Sequence, residues 1–268
     1  MLVWFDKLTT NETLTNSSWI IMNGLAPAIS VRNLSVFYHS FCALSDISLD
    51  IPSGSLLAIA GPNGGGKTTF IKSILDLVPR SSGTILLHDR PFAYVRSRVA
   101  YIPQRMAVDW DFPASVLDVV LMGRYQHIGW FRAPSDDDKL KAYQALHQVG
   151  LSAQADHHIS ELSGGQQQRV FVARALVQDA DIFLFDEPFI GIDSKTELLI
   201  VAILKSLAAQ GKTVIVVHHD LQTLTDYFDS VLLLNGKKIA HGLVSQVCLP
   251  EYMCVAYGDR MIRETRSP

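Results

Sequence analysis

Apolar and polar residues alternate along residues 31–38 and 47–51, the pattern of half-buried antiparallel strands. Pro52-Ser53-Gly54 then carries turn chemistry. Leu56–Ala60 is continuously apolar, as a strand buried on both faces requires, and comparable runs recur at 181–185, 213–217 and 231–234. Helical periodicity fills the intervals. Residues 68–77 place Phe70, Ile71, Ile74 and Leu75 on one side, and 167–177 and 195–210 read as further helices. Strands alternating with helices predict an α/β fold built on a mostly parallel sheet with flanking helices, joined to an antiparallel β subdomain. Between about 105 and 160 the pattern turns helical, with 115–124 and 138–149 as its segments, and reads as an inserted helical subdomain. The expected division is a loosely ordered extension over 1–25, one main domain over 26–250 and a C-terminal tail over 251–268. No internal repeat or low-complexity tract interrupts this pattern.

Composition narrows the classes. In 268 residues, 48% are hydrophobic and 18% charged, so a sizeable packed core is expected and global disorder is excluded. With 23 basic and 26 acidic residues the net charge is −3, which leaves no basic footprint for nucleic acid. Mean hydropathy is positive, at +0.19. No uncharged apolar stretch reaches the ~18 residues of a membrane span, so a chain this apolar is expected to cover its excess surface with a partner. Cys42, Cys248 and Cys254 are odd in number and lack metal-ligand spacing; each is expected to be a buried, reduced thiol. The nine histidines include the pairs His157-His158 and His218-His219, but none has the spacing of a ligand set, which argues against direct metal binding.

Three segments carry chemistry. Gly61-Pro62-Asn63-Gly64-Gly65-Gly66-Lys67-Thr68, followed by Thr69, fits the phosphate-loop pattern G-x-x-x-x-G-K-[ST] between a buried strand and a helix. Its glycines let backbone N–H groups converge on phosphate oxygens, and the helix start adds its dipole. Lys67 would reach the outer phosphates and the Thr68 hydroxyl would ligate Mg²⁺, making this a nucleotide site. In Asp181-Ile182-Phe183-Leu184-Phe185-Asp186-Glu187, Asp186 ends a buried strand where it can hold Mg²⁺, and Glu187 is placed to orient or deprotonate an attacking water. Leu162-Ser163-Gly164-Gly165-Gln166 opens a helix and forms either a second anion cradle or a plain helix cap.

In this order, with Gln104 and His219, these segments resemble the ABC-type ATPases over about residues 28–245. The resemblance implies ATP hydrolysis with Mg²⁺ by a head-to-tail dimer, the second copy being this chain or a paralogue. Ser163 and Gly165, with neighbouring Gly164 and Gln166, would contact the γ-phosphate held by Lys67 of the other subunit. Tyr38 matches the aromatic residue that stacks on adenine, although neighbouring Phe37 is an alternative. Gln104 matches the glutamine that senses Mg²⁺ and the attacking water, and Asp193 the acid that crosses the dimer interface. His219 matches the switch histidine on the γ-phosphate and is preferred to His218 because it directly precedes Asp220. Two departures stand out: Gly65 adds a glycine to the loop, and Gly191-Ile192-Asp193 replaces the family's more usual small-residue lead-in.

A single, free-standing ATPase domain suits a bacterial importer whose separate permease subunits supply the pore and whose solute-binding protein acts indirectly. Its expected place is the cytoplasmic face of the cell membrane. Residues 99–105, Val108-Asp109-Trp110-Asp111-Phe112-Pro113, Met122-Gly123-Arg124-Tyr125 and Val217-His218-His219-Asp220-Leu221 resemble the ATPase subunits of manganese, iron and zinc importers. An importer of iron chelates or cobalamin is the alternative, followed by a nucleotide-dependent regulator outside transport. Trp110, Phe112, Trp130 and Phe131 would suit a hydrophobic pocket for a permease helix, or else core packing.

Overall fold

The computed structural model describes residues 27–104, 113–129 and 132–258. The extension expected over 1–25 and the aromatic residues Trp110, Phe112, Trp130 and Phe131 lie outside the described residues.

Two sheets divide the strands. β1 (Pro27–Tyr38), β2 (Phe41–Pro52) and β4 (Ser82–Leu87) form an antiparallel sheet ordered β2-β1-β4. The second sheet holds β3 (Leu56–Ala60), β5 (Val99–Ile102), β6 (Ile182–Asp186), β7 (Thr213–Val217), β8 (Ser230–Asn235) and β9 (Lys237–Leu243), in the order β5-β6-β7-β3-β8-β9. Its neighbours pair in parallel except at the β8–β9 edge. The apolar runs explain why the central strands sit inside: every residue of β3, β6 and β7 is buried. Periodicity does not mark β4, β5 or β9. The first two are short, and β9 is an edge strand whose residues are exposed or half-buried.

The alternation of β3 separates two cores. Leu57 and Ile59 face Phe70, Ile71 and Ile74 of α1 (Lys67–Ile74) together with the antiparallel sheet. Leu56, Ala58 and Ala60 face the opposite core, which includes Val170 and Phe171 of α4 (Gly164–Leu176) and Ile200 and Leu204 of α5 (Ser194–Ala209). Removing the fully buried Phe70 ring would cost about 3–5 kcal/mol.

In the described part of 105–160, α2 (Val116–Leu121) and α3 (Asp136–Gln148) pack on α4. Ser115 with Asp118 and Ser135 with Asp138 close the starts of α2 and α3 as capping boxes. Arg124, 5% exposed, binds this region to the core. It donates to Asp138 at 3.0 Å, to Asp179 at 2.6 Å and to the Val177 carbonyl at 3.0 Å. The Ser135 hydroxyl, and after it Arg124, hold the Asp138 carboxyl down at about 2 against the opposing effect of burial.

Past the main sheet, α6 (Pro250–Tyr257) buries Met253 and Ala256, and Asn235 donates to the Ala256 carbonyl at 3.0 Å. None of the three thiols is fully buried, contrary to expectation: Cys42 and Cys254 are exposed, and Cys248 is half-buried. Cys42 lies opposite Phe37 near the solvent-facing tip of the β1–β2 hairpin, and Cys254 falls on the outer side of α6. No helix among the described residues is long and apolar enough to cross a membrane.

Candidate functional site

Neighbouring parallel strands β5, β6, β7 and β3 end on one side of the sheet, and each delivers chemistry at its C-terminal end: Gln104 after β5, Asp186 and Glu187 at and after β6, His219 after β7, the glycine-rich loop after β3. Ligands bind α/β sheets at such strand ends.

Close approach dictates the loop's first glycine. A Cβ on Gly61 would sit 1.9 Å from the Leu234 carbonyl oxygen of the neighbouring strand. Gly66, directly before α1, has φ 91°, and a Cβ there would meet Leu44 at 2.6 Å and the Ala43 carbonyl at 2.7 Å. The loop folds back on its own lysine. Lys67 is 6% exposed, and its Nζ donates to the carbonyls of Gly61 at 2.8 Å and Pro62 at 2.9 Å. Burial pushes the Lys67 pKa down, opposed by Glu187 and Asp186.

Asp186 is 1% exposed, and its Oδ1 accepts the Thr68 hydroxyl at 3.1 Å. Burial raises its pKa, helped by Glu187 and opposed by the Thr68 hydroxyl and by Lys72 and Lys67. Next to it, Glu187 takes a left-handed backbone at φ 54°. Gln104 Nε2 donates to Glu187 Oε2, which leaves the Gln104 amide oxygen free to ligate. The Thr68 hydroxyl, the Asp186 carboxylate and the Gln104 carbonyl are hard oxygen donors, and this donor set fits Mg²⁺. No group of three or more histidine, cysteine or acidic side chains among the described residues is arranged to hold a metal by itself.

A cavity of about 280 Å³ opens over the loop, lined by Tyr38, Phe41, Ala43, residues 63–69 and Glu187. Tyr38 and Phe41 oppose each other across the β1–β2 hairpin, 40% and 62% exposed. Phe37 is paired with Cys42 and is not part of the lining. No motif singles out Phe41. Its signal is the tight His39-Ser40 turn, with His39 at φ 55°, which sets Tyr38 and Phe41 face to face.

The remaining predicted residues do not reach this cavity. Ser163 is exposed at the start of α4, where it and Gln166 close a capping box on each other; Gly164 and Gly165 begin that helix. Asp193 caps α5, accepting from the Thr196 N–H at 3.0 Å and the Thr196 hydroxyl at 2.8 Å. Those bonds lower the Asp193 pKa. A Cβ on Gly165 would lie 3.4 Å from an Asp193 carboxylate oxygen, so these two helix starts adjoin each other. None of Ser163, Gly164, Gly165, Gln166 or Asp193 lines the cavity beside Lys67. Of the two histidines, His219 is exposed and His218 is turned into the core at 2% exposure.

A phosphate loop, a strand-end carboxylate pair and a glycine-rich helix start on one α/β sheet define a nucleotide-hydrolysing cassette. The ABC transporter family model matches residues 44–190. The zinc transport system ATP-binding protein TroB of Treponema pallidum is 52% identical over 240 residues, covering 90% of this chain and 90% of its own. The manganese transport system ATP-binding protein MntB of Bacillus subtilis is 52% identical over 233 residues, 87% of this chain and 93% of its own. Among solved structures, a dimeric ATP-binding cassette in a post-hydrolysis state bound to ADP and Pi superposes with a TM-score of 0.71 at 27% identity, covering 81% of this chain and 98% of its own. The chain belongs to the ATP-binding family of ABC transporters and is an ATPase.

Proposed function

We propose that the chain is the energy-coupling subunit of an importer of manganese or zinc, with iron as a further expected cargo. It works at the cytoplasmic face of the membrane as a head-to-tail dimer docked on permease subunits, with a solute-binding protein delivering the ion. The carrying observation is the 52% identity, across nearly the whole chain, to ATP-binding proteins of a zinc and a manganese transport system. The complete strand-end set beside Lys67 supports turnover. Exposed Tyr125, Leu140 and Tyr143 of the helical region supply apolar surface for a permease contact.

In this reading Tyr38 stacks on adenine. Residues 61–69 hold the phosphates through backbone N–H groups, the helix dipole and Lys67, which exchanges its carbonyl partners for phosphate oxygens. Bound Mg²⁺ supplies Lewis-acid charge stabilisation, with Thr68, Asp186 and Gln104 as its protein-side oxygens. Gln104 holds the Glu187 carboxylate in place. Glu187 aligns a water against the γ-phosphorus and takes its proton as the bond to the β–γ bridging oxygen breaks. His219 donates to the γ-phosphate. Ser163, Gly164, Gly165 and Gln166 of the second copy close over it, with Asp193 at the interface. ATP drives the cycle because it binds the closed dimer better than the open one.

The test is elemental analysis of cells under metal limitation, comparing the native chain with Glu187→Gln. A selective fall of manganese, zinc or iron in the variant supports the reading and names the cargo. Unchanged levels of all three would overturn metal import and leave the ATPase in place.

A further inference from the structure

His218 is a buried titratable group that the mechanism leaves unused. It follows β7, its backbone N–H donates to the Ile59 carbonyl at 3.0 Å, and its ring is 2% exposed. Phe189 meets the ring edge-on at 5.4 Å and 88°, and Phe228 and Tyr227 pack at 5.2 and 6.1 Å. Nε2 lies 2.7 Å from the Thr223 hydroxyl, and that hydroxyl lies 3.4 Å from the Asp220 carbonyl. With the Thr223 hydroxyl donating to Asp220, its oxygen accepts from Nε2–H, which leaves Nδ1 as the bare nitrogen. Nδ1 is indeed buried without a hydrogen-bond partner. Burial, aided by the neighbouring His219, pushes the His218 pKa down to about 4, so the ring is neutral near pH 7.

A bare nitrogen in an aromatic pocket is a cost that phenylalanine would avoid. What a histidine adds is the bond to Thr223, which closes the 218–223 turn on itself. That turn carries His219. The ring's edge-on neighbour, Phe189, stands two residues beyond Glu187 on the loop that leaves β6. One side chain thus touches the segments that carry both groups assigned to the γ-phosphate.

We propose that His218 is a positioning residue that fixes the turn bearing His219 against the loop bearing Glu187, so that base and switch histidine reach the phosphate in register. This rests on the roles given to Glu187 and His219 above. The Thr223 bond sets the turn, and the Phe189 contact sets its distance from the loop.

The test measures phosphate release by the full chain with ATP and Mg²⁺, beside affinity for a fluorescent ATP analogue. His218→Phe keeps the packing and removes the bond. Thr223→Val removes the same bond from a half-buried position, with little change in side-chain volume. His218→Gln restores an N–H near Nε2. The expected result is a fall of about tenfold in kcat for His218→Phe and for Thr223→Val, nucleotide affinity held within about twofold, and no further loss in the double variant. His218→Gln is expected to recover most of the turnover. Unchanged kcat in Thr223→Val, additive losses, or losses that track nucleotide affinity would each overturn the proposal. Glu187→Gln is the reference. If it turns over at the native rate, the reading of the whole site fails; if it is inactive while Thr223→Val is unaffected, only the role of His218 fails.

Discussion

The strand-end half of the site and the helix-start half are built in opposite ways. Around the loop, Lys67, Asp186 and Glu187 are each engaged by the chain's own atoms: two loop carbonyls hold the ammonium, Thr68 holds Asp186 and Gln104 holds Glu187. Around Ser163, the helix start faces solvent and is satisfied only by its own capping box. The first half is tied up by internal bonds that a nucleotide would have to replace at Lys67, and the second is complete as a fold and exposed. A cradle in one place and a lid in another is what a head-to-tail pair requires.

The sharpest way to break this comparison is at the base. Glu187→Gln should cost about a hundredfold to ten-thousandfold in kcat while ATP stays bound, read by phosphate release and nucleotide retention. Native turnover would remove Glu187 from the mechanism. Lys67→Ala comes next, with about 2 kcal/mol of nucleotide affinity expected to vanish in a titration with an ATP analogue.

The two halves can then be set against each other. Ser163→Arg should block closure without changing nucleotide affinity in the isolated chain. Mixed with Lys67→Ala chains, it should regain turnover that neither variant shows alone, because one site of the hybrid dimer has both halves intact. No recovery in the mixture would argue that each chain closes on itself.

Smaller effects sharpen the edges. Tyr38→Ala and Phe41→Ala should each weaken nucleotide binding by about 1 kcal/mol, and Phe37→Ala should leave it unchanged. The Asp138 carboxyl, held down to about 2, adds stability that is present above its unfolded value of about 3.9 and is lost as pH falls through about 2. In acid unfolding monitored by circular dichroism, Asp138→Asn should therefore be less stable than the native chain at neutral pH, and the gap should close between about pH 4 and about pH 2.

Legibility followed the same division. The parallel core could be read from its apolar runs, because strands buried on both faces tolerate almost nothing else. The phosphate loop was equally plain, since glycine is forced by contacts such as that of Gly61 with Leu234. Edge strand β9 was not, because half-exposed positions impose no pattern on Lys237–Leu243. Phe41 escaped because its role depends on the strand it faces rather than on its neighbours in sequence. Cys42 and Cys254 were placed inside by the habits of their residue type, and local position overruled that habit.

The left-handed backbone at Glu187 carries a consequence for how such a chain can drift. Among the described residues eight non-glycine positions have positive φ; seven are asparagine, aspartate or histidine, and Glu187 is the exception. Asparagine, aspartate and histidine enter that region far more readily than glutamate does. Holding a longer side chain there costs about 1 kcal/mol, out of a total stability of about 5–15 kcal/mol. A library selected for heat resistance alone should therefore shed the acid at 187 early, in favour of asparagine or glycine. The same library selected for growth on scarce metal should keep it, so position 187 would report which pressure a population has met.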